Sequence, residues 1–244
     1  MLGLKLREEF SGRRLSGTMI ELHNRRGTGA LDQSANDFLK ITYPSIDMLK
    51  TLEAVKAGSA EPVVIIGSRG QGKSHLMAAL SHMHIDHSAS KRWLSEWSGR
   101  LGNPAIANLE LQADMHVITE SLHQQQFKYL WDVLFENHPH GVAARAKWED
   151  RGTEVPGFDL VHEMASRQPF VLILDEFQTW FEGLTNTKQH PRRNWAFNFI
   201  QILSEISEKH PDLLTLVVSV REGNSEAAQQ LFRVNPKRID FKGP

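Results

Sequence analysis

The chain has no cysteine, which excludes disulfides and thiolate metal sites. No apolar run approaches the roughly 18 residues of a membrane span. The first 29 residues lack the apolar stretch of a secretory signal, so a cytoplasmic location is expected. A formal net charge of −1 excludes a chain-wide electrostatic footprint for nucleic acid, while leaving a local basic face open. Internal repeats and low-complexity tracts are missing as well. What remains is a chain of 244 residues, 40% hydrophobic and 23% charged, long enough for one large domain or a domain with a small appendage.

The most informative stretch is Gly67-Ser68-Arg69-Gly70-Gln71-Gly72-Lys73-Ser74, which fits G-x-x-x-x-G-K-S/T and directly follows the apolar run Val63-Val64-Ile65-Ile66. That order, strand then loop then helix, is the one a P-loop needs. Its glycines let backbone N–H groups turn toward phosphate oxygens, Lys73 reaches the β- and γ-phosphates, and the Ser74 hydroxyl can hold Mg²⁺. The positive end of the following helix adds to the attraction for an anion.

The second informative stretch is Phe170-Val171-Leu172-Ile173-Leu174-Asp175-Glu176. Its uninterrupted apolar run reads as a parallel strand buried on both faces, ending in two carboxylates. Beside a P-loop, Asp175 suits the role of second Mg²⁺ ligand with Ser74, and Glu176 that of base for the attacking water. Further strands are expected at Met115–Thr119, Leu213–Val220 and Arg238–Phe241. Ser219, near the end of its strand, suits either a contact to the γ-phosphate or water, or ordinary strand-end capping, and Arg221 stays open in the same way.

Helices are expected either side of Tyr43-Pro44 within 34–55, after Ser74 to about His84, over Lys91–Gly102, through Phe127–Phe135, and over Phe158–Arg167, Arg192–Glu208 and Ser225–Phe232. Residues 142–157 read as charged and irregular, and 1–33 as a weakly ordered basic arm ahead of a domain at 34–244. Tyr43 is a candidate adenine contact or a packed corner. His82, His84 and His87 read as solvated histidines near a helix end, since an i, i+2 pair points to different faces. The sum is a three-layer α/β P-loop NTPase domain with a mainly parallel five-stranded sheet.

In Val63–Ser74, Leu172–Glu176, the polar strand end at Ser219 and the arginines before the last strand, the chain resembles the additional-strand ATPases of the AAA-type superfamily. Through Ile118-Thr119-Glu120-Ser121-Leu122-His123, Leu130-Trp131-Asp132 and Leu174–Trp180 it also resembles the ATP-binding region of large bacterial P-loop proteins of phage-defence islands, the BREX-type ATPases. The resemblance implies ATP and Mg²⁺ as cofactors, hydrolysis using Glu176, a sensor at Ser219, and an arginine supplied across a subunit interface by Arg221, Arg233 or Arg238. It further implies a homo-oligomer or a larger assembly, with nucleic acid as an open partner and no membrane. Members normally continue into a helical lid, which is not matched here, so a nucleotide-dependent switch with negligible turnover stands beside the hydrolase. The absence of an N-K-x-D run disfavours guanine nucleotides.

Overall fold

The computed structural model describes residues 21–23, 29–124 and 127–242. Most of the basic arm expected at the N-terminus therefore lies outside the described residues. The part that is described is packed: the Leu22 side chain is buried, and the Ala30 and Leu31 amides donate to the Glu21 and Leu22 carbonyls. A short 3-10 turn, Ala30–Asp32, leads into α1 (Ala35–Lys40) and α2 (Ile46–Val55). Their N-caps are Ser34 and Ser45, whose hydroxyls accept from the Asp37 and Met48 amides. Between them lies the break at Tyr43-Pro44, as the sequence predicts.

Strand β1 (Val63–Ile66) runs into the loop and α3 (Lys73–Ile85), and α4 (His87–Leu101) folds back behind it. Asp86 caps α4, whose first residue His87 lies four before the expected start, by accepting from the Ala89 amide. This fold-back overturns the reading of solvated histidines. His82 is buried and bonded to the Ala30 carbonyl, and His84 is buried with its pKa lowered to about 4, chiefly by desolvation.

The chain continues through β2 (His116–Ser121), α5 (Asp132–Asn137), α6 (Gly141–Arg151), α7 (Phe158–Arg167), β3 (Phe170–Asp175), α8 (Phe177–Gly183), α9 (Arg192–Lys209), β4 (Leu214–Val220), α10 (Glu226–Phe232) and β5 (Lys237–Asp240). Helix α6 corrects the expectation of an irregular 142–157. It buries little beyond Gly141 and Ala144, so its sequence carries almost no apolar period, and its end is set by Gly152 in the left-handed region. Helix α5 is shorter than expected, because Tyr129 and Leu130 form a turn that the Asp132 carboxylate braces by accepting from the Tyr129 amide.

All five strands are parallel, in the order β2-β3-β4-β1-β5. Strand residues alternate between two cores. Val63, Ile65, Val171, Ile173 and Val217 face the layer holding α1–α4, whereas Val64, Leu172, Leu174, Leu216 and Val218 face the layer built largely from α5–α10. This is the three-layer P-loop NTPase fold. The order also places β4 between β1 and β3, so an additional strand separates the P-loop strand from the strand that ends in Asp175 and Glu176. Among the described residues no helix is long and apolar enough to cross a membrane.

Candidate nucleotide site

The carboxyl ends of β1, β2 and β3 open into a cavity of about 420 Å³ lined by Glu21, Leu22, Arg69, Gly70, Gly72, Lys73, Ser74, His75, Ser121, His123, Gln124, Asp175 and Glu176. Open α/β sheets bind ligands at this edge. The loop's shape depends on glycine at two points. A Cβ on Gly67 would lie 2.7 Å from Gln71 Oε1 and 2.8 Å from the Phe241 carbonyl oxygen, because the exit of β5 closes on the loop. Gly72 has φ +98°, a conformation that side chains disfavour, and it sets the entry to α3.

Lys73 Nζ donates to the Gly67 and Ser68 carbonyls at 2.6 and 3.1 Å, which holds it along the loop. Burial lowers its pKa, and the carboxylates of Asp175 and Glu176 oppose that shift. The Ser74 hydroxyl donates to Asp175 Oδ2 at 2.6 Å. Ser219 donates to the other oxygen, Oδ1, which also accepts from the Glu176 amide at 2.9 Å. Asp175, itself buried, is thus oriented by two hydroxyls and one amide.

A hydroxyl and a carboxylate in contact form the hard-oxygen donor set that Mg²⁺ takes when it keeps several waters and adds phosphate oxygens. Together with Lys73 and the glycine-rich loop lining the same cavity, the residues fit Mg²⁺ and a polyphosphate. Among the described residues no group of three or more His, Asp or Glu side chains offers an all-protein metal site.

Glu176 sits at φ +57°, a left-handed conformation that costs a non-glycine residue on the order of 1 kcal/mol. Glu176 lines the cavity, and its carboxylate accepts from the Thr179 hydroxyl at 2.9 Å. Two residues on, the buried Gln178 accepts the Arg221 and Glu222 amides at 3.0 and 3.1 Å and donates to Glu182. A side chain of α8 therefore ties the tip of β4 to the segment carrying Glu176. Sequence reasoning missed Gln178 and Thr179, since nothing distinguishes them from ordinary helix residues.

Several expected site residues lie elsewhere. Ser219 is fully buried and does not line the cavity; it lies beneath Asp175, which it orients. Tyr43 does not line the cavity either. Its ring meets Trp97 of α4 edge-on at 5.3 Å, because α1 and the Tyr43-Pro44 corner pack against α4. The wall beside His75 is supplied instead by Glu21 and Leu22, from the segment read as a loose arm. Arg233 stacks over Phe197 at 4.7 Å and Arg238 over Phe232 at 3.7 Å, both away from the cavity of their own chain. Arg221 lies close enough to depress the Lys73 pKa and reaches toward Glu182 at 3.9 Å.

No protein-family model and no curated protein matches this chain. Among solved structures it is similar to AMPPCP-bound DnaA from Aquifex aeolicus, with 15% identity and a TM-score of 0.37 over 89% of this chain. The chain spans 50% of that protein's length.

Proposed function

We propose that this chain binds Mg²⁺–ATP at the carboxyl edge of the sheet and hydrolyses it, as an AAA-type ATPase, to drive conformational change in a larger assembly. The observation that carries the reading is the convergence of Ser74 and the buried Ser219 on the two oxygens of Asp175, with Lys73, Ser74 and Asp175 lining one cavity. The loop amides and Lys73 hold the phosphates, while Ser74 and Asp175 hold the metal. Mg²⁺, when bound, neutralises charge on the β- and γ-phosphate oxygens. Glu176 takes a proton from a water as that water's oxygen bonds to the γ-phosphorus and the bond to the β–γ bridging oxygen breaks, releasing ADP and phosphate. Arg233 or Arg238 completes the site from a second copy, in the cytoplasm, while Arg221, near Lys73 of its own chain, can serve the phosphates directly. The resemblance of its residue runs to BREX-type proteins is the ground for placing it in a phage-defence assembly.

A second reading, a nucleotide-dependent switch with negligible turnover, is favoured by one contact: the Thr179 hydroxyl occupies a carboxylate oxygen of Glu176. Nucleotide affinity and phosphate release decide between them. Lys73→Ala should weaken ATP binding by about a hundredfold, and wild-type affinity in that variant overturns the site. Glu176→Gln should keep binding and lose turnover. If the wild type binds ATP without releasing phosphate while Thr179→Ala releases it, the switch reading is the correct one.

A further inference from the structure

A second concavity, about 310 Å³, lies between α1 and α4 on the layer that also carries the P-loop helix, and its lining differs in kind from that of the nucleotide cavity. It brings three cations, Lys40, Arg92 and Arg100, around the indoles of Trp93 and Trp97, with Glu96 as its one lining carboxylate. Trp93 is committed to the core, where its Nε1 donates to the Thr42 carbonyl. Trp97 is half-buried, with the Arg100 guanidinium 5.0 Å from its ring centre and the Tyr43 ring against it. Tyr43 is 58% exposed and extends this aromatic surface into solvent.

The charges are available to a ligand. Arg92 donates to the neutral Asn36 and Ser88 side chains at 2.7 and 3.4 Å. The nearby Asp86 carboxylate is already engaged by the Ala89 amide and the Ser88 hydroxyl. Lys40 and Arg100 are paired with Asp37 and Glu96 only on the open surface, where such pairs are weak and readily exchanged for phosphate. The groove's lining thus sets three cations against one carboxylate beside stackable rings, with Asp37 and Asp86 on its rim. Guanidinium and ammonium groups that follow a phosphate backbone, next to aromatic faces that take bases, form the chemistry that holds single strands without reading their sequence.

We infer that the α1–α4 groove binds single-stranded nucleic acid, with Arg92, Arg100 and Lys40 on phosphates and Tyr43 and Trp97 stacking on bases. The assignment does not depend on the nucleotide reading. Tyr43, which the sequence offered as an adenine contact, takes a base here, outside the nucleotide cavity.

The test is fluorescence anisotropy with labelled oligothymidylate and oligouridylate of about 15 nucleotides at about 50 mM salt. Both Tyr43→Ala and a joint Arg92→Glu, Arg100→Glu substitution should weaken binding on the order of tenfold or more, while Tyr43→Phe retains it. Engaging three cations should give a salt slope of about −2 on logarithmic axes. ATP affinity should stay at the wild-type value in all of these variants, which separates failure of the groove from failure of the nucleotide site. Binding of either homopolymer with this variant pattern supports the inference and names the source, DNA or RNA. No binding, binding of duplex alone, equal binding by all variants, or a change only in self-association overturns it.

Discussion

The two ends of the same parallel sheet handle buried polar groups in opposite ways. At the amino end, histidines are satisfied one by one by backbone: the buried His138 bonds to the Gln168 carbonyl, and the half-buried His116 to that of Asn137. Burial lowers the His138 pKa to about 4, so it is a neutral packing element. At the carboxyl end the polar groups satisfy one another. Ser74, Ser219 and the Glu176 amide share Asp175, while Lys73 rests on two loop carbonyls and Glu176 sits in a left-handed conformation. The first arrangement is that of packing. The second concentrates charge, strain and short-range order around a cavity, as expected of a site arranged for a ligand rather than for packing.

This contrast predicts effects that separate by end. The largest is at Glu176: replacement by Gln should lower phosphate release by a hundredfold or more, with ATP affinity kept, as single-turnover and binding assays would show. Equal loss of both would move Glu176 from the chemistry to binding. Ser219→Ala should come next. Removing one of the two hydroxyls on Asp175 leaves a buried carboxylate short of a donor, costing on the order of 2 kcal/mol in thermal or denaturant unfolding and reducing turnover. A variant that loses stability without losing turnover would make Ser219 a packing residue.

At the amino end, His138→Ala should destabilise the fold by about 1–3 kcal/mol in denaturant melts while ATP affinity is unchanged. An affinity change there would dissolve the contrast. The pH dependence is gentler but has a definite sign. His84 and His138 have folded pKa values lowered to about 4, against 6.5 as the reference, so the unfolded chain binds more protons between those values. Stability is therefore full above about pH 6.5 and falls as pH drops toward 4, and His138→Ala should flatten part of that slope.

The motifs at Gly67–Ser74 and Asp175-Glu176 were legible because their chemistry needs fixed residue types at fixed spacing beside strongly apolar strands. The three-layer architecture followed from the alternation of those strands with helices. The strand order was not legible: nothing local in Leu214–Val220 says that it inserts between β1 and β3, and that insertion is what buries Ser219 under Asp175. Tyr43 misled because its neighbour in space, Trp97, is 54 residues away in sequence. Helix α6 was missed for the opposite reason: a helix that buries one small face has little apolar period to read, although Gly152 marked its end. Leu22, at the end of the short piece Met19-Ile20-Glu21-Leu22 in an otherwise polar stretch, gave no sign that it would wall the cavity.

The most direct test of the account is titration of the chain with ATP, with and without Mg²⁺, comparing wild type with Asp175→Asn. The account predicts that Mg²⁺ tightens ATP binding in the wild type and that Asp175→Asn abolishes this tightening while leaving metal-free binding in place. Equal enhancement by Mg²⁺ in both proteins, or no ATP binding by either, would contradict the assignment of Ser74 and Asp175 as the joint metal site of a nucleotide-binding edge.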